Sequence, residues 1–204
     1  MAKKRLGTDI RQEQIAEAAL DIVRSNGVRA LNVAAVAEKV GIVASAVYRH
    51  YKNKSEIVAA VLQLIQTRLN GHFQGVVMLD LEPLEKLQLL LNRHIELIGT
   101  NNAIPRIIFS EEVLGGMPDK RQQLYGIIQN VIGNVATIVA EGQANGTIRK
   151  DLPAETIAVS FLGMIQPAAI IWSLSSGTFD LLGHSRHAWR LFSASIAEKV
   201  DQPD

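Results

Sequence analysis

Apolar residues return every three or four positions along almost the whole chain, and that regularity restricts the fold to packed helices. In residues 9–25, Ile10, Ile15, Ala18, Ala19, Ile22 and Val23 fall on one stripe with charges opposite. Residues 54–75 place Ile57, Val58, Val61, Leu62, Ile65 and Leu69 together, and residues 119–144 do the same with Leu124, Ile128, Val131, Ile132, Val135, Ile138 and Val139. No alternating run of β-branched residues bounded by turn signals competes, so the fold class is predicted to be all-α.

Local signals divide this pattern into elements. Thr8 and Asp9 are expected to cap the first helix and Asn26-Gly27 to stop it. Asn32 is a candidate N-cap for a short helix over 33–40 that ends at Gly41, a third helix covers 44–50, and Asn53 caps the fourth. Pro83 opens a helix running past Ile98, Pro105 begins one that reaches Leu114, and Pro153 opens one that reaches about Ser175. The last helix is expected over 185–199. A cut near residue 54 gives an N-terminal unit of 1–54 and a larger helical unit of 55–204.

Charge separates the two parts. Residues 1–54 hold ten Lys and Arg against five Asp and Glu, a surplus of five, whereas the remainder is negative by four. A basic head on an acidic body points to a polyanion as the partner of the head alone. With 48% hydrophobic residues the chain can pack a core, and with no cysteine it has no disulfide framework, which fits a reducing cytosol. Charges at Arg11, Glu13 and Glu17 arrive too early for a signal peptide, and the weakly charged stretch around 157–182 reads as a buried helix rather than a span. The expectation is a soluble, cytoplasmic protein with no membrane partner.

The two short helices around Gly41 make a helix-turn-helix, whose second helix enters the major groove in such motifs. Val47 and Tyr51 can pack inward, leaving Ser45, Tyr48, Arg49 and His50 outward as groups suited to phosphates and base edges. Lys54 follows at the start of the fourth helix, whose free N–H groups favour an anion. Spacing alone leaves open whether these helices bind DNA or simply belong to a helical core.

Residues 33–57, VAAVAEKVGIVASAVYRHYKNKSEI, resemble the signature of TetR-family repressors, and the first helix with Ile15, Ala18-Ala19 and Gly27 is similar too. The resemblance covers residues 9–60 and implies a DNA-binding head followed by a helical dimerisation and ligand-binding domain. It implies phosphate contacts at Asn32, Tyr48, His50 and Lys54, and groove-facing positions at Ser45 and Arg49. Val43, Ala44 and Ala46 depart from the family's polar residues, so the head of the recognition helix lacks a polar cap and polar base contacts and offers thymine methyls apolar ones. The basic Lys3-Lys4-Arg5 segment is a second candidate reader, in the minor groove.

The resemblance further implies a homodimer on a palindromic operator, formed through the last two long helices. Ile157, Phe161, Ile165, Ala168, Trp189, Phe192 and Ile196 are expected to be the apolar surface it covers. The implied function is a repressor released by a small, largely apolar effector. His94, Phe109, Glu112, Phe161, Met164 and Trp172 are candidate pocket residues, with Glu111, Gln166 and Phe179 behind them. That reading calls for an enclosed cavity of several hundred Å³. The alternative, a ligand-independent DNA binder acting through a protein partner as the family's nucleoid-occlusion factors do, calls for a filled core. His184, His187 and Asp180 have a spacing that suits a metal, but two imidazoles near a helix start suit a surface better, and no metal or cofactor is expected. No P-loop, dinucleotide fingerprint, HExxH or GxSxG occurs, so nothing in the sequence supports an enzyme.

Overall fold

The computed structural model describes residues 2–115 and 118–198, with side chains from residue 7 onward. Among the described residues ten α-helices follow one another: α1 (Ala2–Asn26), α2 (Val33–Val40), α3 (Ala44–Tyr48), α4 (Lys54–Val77), α5 (Pro83–Thr100), α6 (Ala103–Ile108), α7 (Glu111–Leu114), α8 (Pro118–Asn145), α9 (Ala154–Leu174) and α10 (Leu181–Ile196). A 3₁₀ turn, Val28–Ala30, joins α1 to α2. Among the described residues there is no strand, only an isolated bridge between Ile148 and Ala197.

The sequence cues located most elements, and three departures have local causes. α1 begins at Ala2, so Thr8 and Asp9 lie inside it rather than capping it. No proline interrupts residues 2–9, and the Lys-Lys-Arg-Leu stretch consists of good helix formers. The helix expected from Pro105 to Leu114 is broken at Ser110, whose backbone is extended and whose hydroxyl donates to the Ile107 carbonyl at 2.7 Å. α10 starts at Leu181, earlier than expected, because Asp180 caps it by accepting from the Gly183 N–H at 2.9 Å.

The chain forms two compact units, and neither is a single stretch of sequence. The first runs to Arg68 and also takes in Asn101–Ile127; the second holds Leu69–Thr100 and the residues from Ile128 on. The boundary expected at residue 54 thus falls inside the first unit. Ile15, Ala19, Leu20, Val23, Leu31, Val36, Val47, Ile57, Val61 and Leu62 are buried in that unit, and so are Ile107 and Val113 of α6 and α7.

The second unit has a larger apolar core. Leu87, Leu91 and Ile95 of α5 join Val135, Ile138 and Val139 of α8, Phe161 and Ile165 of α9, and Trp189, Phe192 and Ile196 of α10. Phe192 meets Phe161 edge-on at 5.8 Å and Trp189 at 6.0 Å. α9 has the length and apolar composition of a membrane span, but its Ile157, Phe161, Ile165 and Ala168 are buried in this core.

Candidate nucleic-acid interface

The α2–α3 corner is set by Gly41, which ends α2 in the left-handed conformation at φ 75°. Its N–H and that of Ile42 return to the last carbonyls of α2, with Ile42 N bonding Ala37 O at 2.9 Å, in a Schellman-type turn. α3 then leaves at a fixed angle with Val47 fully buried as its anchor. Around that anchor Val43, Ser45, Tyr48 and Arg49 are exposed, while Ala44, Ala46 and His50 are half-buried. Tyr51, expected to pack inward, is half-buried, and burial raises its phenol pKa. Val43 offers no side-chain cap to α3, as its apolar character requires.

Ser45, Tyr48 and Arg49 have no side-chain hydrogen bond or ion pair among the described residues, so their polar groups are free for an external partner. Asn32 and Lys54 are not. Asn32 caps α2 through the Ala35 N–H at 2.9 Å and donates to the Ala30 carbonyl at 3.2 Å. Asn53 caps α4 through the Glu56 N–H at 3.0 Å, while the Glu56 carboxylate reaches back to the Lys52 N–H at 2.7 Å. Lys54 donates to the Val28 carbonyl at 3.0 Å and to Glu112 Oε1 at 2.8 Å. Burial alone would raise the Glu112 carboxyl, but hydrogen bonds from Lys54, the Glu112 backbone and Ser110, with the charge of Lys54, together outweigh it and hold the group below its ordinary value. The Lys3-Lys4-Arg5 side chains lie outside the described residues.

The candidate pocket residues are divided between the two units. Phe109 and Glu112 belong to the first unit and the others to the second. His94 and Phe161 line one cavity with Leu69, His72, Phe73, Leu90, Val131 and Asn134, and its volume of about 10 Å³ holds no more than a water. Burial, with His72 adding repulsion, lowers the pKa of His94 to about 4, so its ring is neutral at pH 7. Met164 packs against the core, and Trp172 instead lines an open groove of about 710 Å³ with Ile95, Glu96, Phe179 and Asp180. Glu111 is exposed and Gln166 half-buried. Of the metal-like trio, Asp180 is engaged as the cap of α10 and the His184 ring lies 5.4 Å from that of Phe179.

Two family profiles match the chain. One, described as "Bacterial regulatory proteins, tetR family", covers residues 15–61, and the other, "YsiA-like protein, C-terminal region", covers residues 72–195. The chain belongs to the TetR family of bacterial regulators. The fatty acid metabolism regulator protein of Bacillus subtilis (strain 168) is 22% identical over 91% of this chain and 95% of its own length. Among solved structures, the B. subtilis transcriptional regulator FadR in complex with stearoyl-CoA superposes with a TM-score of 0.78 at 21% identity, over 90% of this chain and 98% of that one. The ketosteroid regulator KstR2 of Mycobacterium tuberculosis superposes with a TM-score of 0.69 at 20% identity, over 93% and 96%.

As a TetR-family member the protein is a transcriptional regulator with an N-terminal helix-turn-helix, and the relatives named above are regulators rather than enzymes. In this TetR-family chain the apolar surface of α9 and α10 needs a correction. Ile157, Phe161, Ile165, Ala168, Trp189, Phe192 and Ile196, expected to cover a dimer interface, are all buried within the chain's own core. Left exposed are Val159, Ile170, Ile171 and Leu174 on α9 and Leu182 and Leu191 on α10, with Leu174 at 80% and Leu191 at 77%. Both sets are apolar at helical spacing, so periodicity alone could not tell the inner face from the outer. Sequence reasoning also missed the polar anchors of residues 101–127. Arg106 donates to the Arg24 carbonyl at 3.3 Å, Gln123 to the Ala59 carbonyl at 3.0 Å and Lys120 to the Ser55 hydroxyl. These contacts join residues more than 60 positions apart, for which no local signal exists.

Proposed function

We propose that this TetR-family protein is a dimeric repressor that reads a palindromic operator through α3 and releases it when a small, largely apolar molecule binds. The observation that carries the DNA half is the α3 surface: a buried Val47 anchor with Val43, Ser45, Tyr48 and Arg49 exposed around it. Those side chains supply methyls, a hydroxyl, a phenol and a guanidinium for the groove and backbone. The dimer half rests on the exposed stripe of α9 and α10, a row of apolar residues that a second copy of the chain would cover with closed symmetry.

The effector half draws on the relatives. The names of the fatty acid regulator and of the FadR complex with stearoyl-CoA make a long-chain acyl thioester the first candidate. A second reading, a DNA binder working through a protein partner without an effector, is favoured by the nearly filled core around His94 and Phe161. Fluorescence anisotropy of a labelled operator, titrated with stearoyl-CoA and separately with free CoA and stearate, decides between them. Release by the thioester at micromolar concentration supports the first reading. DNA binding indifferent to all three, together with no change in thermal unfolding, supports the second.

A further inference from the structure

Under the DNA reading above, a lysine at the start of α4 is a natural phosphate contact, yet the Lys54 ammonium is engaged inside the protein. Its Nζ lies 2.8 Å from Glu112 Oε1 and 3.0 Å from the Val28 carbonyl oxygen, so two of its three donors are taken. The lysine and glutamate side chains are 31% and 33% exposed, which screens the pair less than open water does. A phosphate approaching this ammonium meets the Glu112 carboxylate beside it, and the two anions repel. A cation already neutralised also adds little to counterion release, which is where phosphate contacts gain their affinity. Arg49 and Lys52, by contrast, have no ion-pair partner among the described residues.

Glu112 is held at this place by more than its ion pair. α7 lies in a segment fastened to the helix-turn-helix unit by Arg106 on the carbonyls of Val23 and Arg24, at 3.5 and 3.3 Å, and by Gln123 on the Ala59 carbonyl at 3.0 Å. Lys120 on the Ser55 hydroxyl adds a contact one residue from Lys54 itself. The carboxylate is therefore presented to the start of α4 by a braced element rather than by a loose side chain.

We propose that Glu112 is a positioning residue that withholds Lys54 from the DNA backbone, so that the placement of α7 sets the DNA affinity of the helix-turn-helix unit. The inference rests on the DNA-binding reading. It gives α7 a lever: a shift that draws Glu112 away from Lys54 adds one free cation per subunit to the DNA-facing side.

The test is the salt dependence of binding to a labelled duplex of random sequence, measured on the full-length protein. Wild type, Glu112→Gln, Lys54→Ala and the double variant are compared, with Glu111→Gln as a control of equal charge change at an exposed neighbouring carboxylate. Glutamine at 112 keeps an acceptor for the lysine, so a merely structural role leaves the salt slope unmoved. Glu112→Gln is expected to steepen the slope by about one unit per subunit and to tighten low-salt binding severalfold. Lys54→Ala leaves the slope unchanged in the wild-type background and removes the gain in the Glu112→Gln background, and Glu111→Gln gives no steepening. A lower slope for Lys54→Ala alone, or a Glu112→Gln gain that survives Lys54→Ala or is matched by Glu111→Gln, overturns the inference while DNA binding stands. Loss of DNA binding from every form, wild type included, overturns the DNA reading and this inference with it.

Discussion

Asn32 Oδ1 accepts a hydrogen bond from the Ala35 N–H at 2.9 Å, making this side chain the N-cap of α2. The position that the family resemblance marks for phosphate is thus already a structural one. Asn32→Ala is expected to cost about 1 kcal/mol of stability, a usual loss for a removed cap. Asn32→Asp keeps the cap, gives up the donation to the Ala30 carbonyl and sets a negative charge beside the DNA path, so it should lose less stability than Asn32→Ala and weaken DNA binding. Chemical denaturation and anisotropy on the same two variants check both halves. Undiminished DNA affinity in Asn32→Asp would place the residue away from phosphate.

His94 gives the second unit a pH dependence whose sign is fixed. Its folded pKa of about 4 lies below the ordinary 6.5, because burial, then repulsion from His72, disfavour the charged ring. The folded state therefore binds fewer protons than the unfolded one between those values, and stability falls as pH drops from 6.5 towards 4. The loss from this group is expected to reach roughly 2–3 kcal/mol at the acid end. His94→Leu should flatten that limb of a stability–pH curve measured by denaturant unfolding. An identical limb in the variant would assign the acid sensitivity to another group.

The exposed stripe of α9 and α10 makes the dimer directly testable. Ile171→Glu with Leu191→Glu changes two residues that are 47% and 77% exposed, so neither leaves a hole in the core. The double variant should be monomeric by light scattering at micromolar concentration and keep its helical circular dichroism. Phe161→Ala, which empties a fully buried site, should instead lower stability by about 3–5 kcal/mol. A double variant that remained dimeric would move the interface elsewhere.

What the sequence made legible were features coded within a few residues. Asn32 and Gly41 bound α2 and Asn53 caps α4 as expected, because caps and left-handed stops act over three or four positions. Pro83 likewise opens α5. Ser45, Tyr48 and Arg49 are exposed as the inward packing of Val47 implied, whereas Tyr51, expected beside Val47, and His50, expected outside, are half-buried. What stayed hidden depends on distant parts of the chain. Nothing near Lys54 announces Glu112, 58 positions away, and nothing near Ile157 separates its inward side from the outward side of Val159. The pocket residues were chosen by type, and the fold distributes them between two units.

On the proposed reading, α3 reads sequence and Arg49 carries the strongest discrimination. With Val43, Ala44 and Ala46 unable to form paired hydrogen bonds, Arg49 is the side chain of that helix able to take a guanine through O6 and N7, a contact worth about 1–3 kcal/mol per base. Selection of bound duplexes from a random pool, with wild type and Arg49→Ala side by side, measures this directly. The account predicts a palindrome with one strongly required G·C pair in each half-site for wild type, and a variant that loses preference at that pair while its flanks persist. Enrichment of no motif by wild type, or identical base preferences in the two proteins, would contradict it.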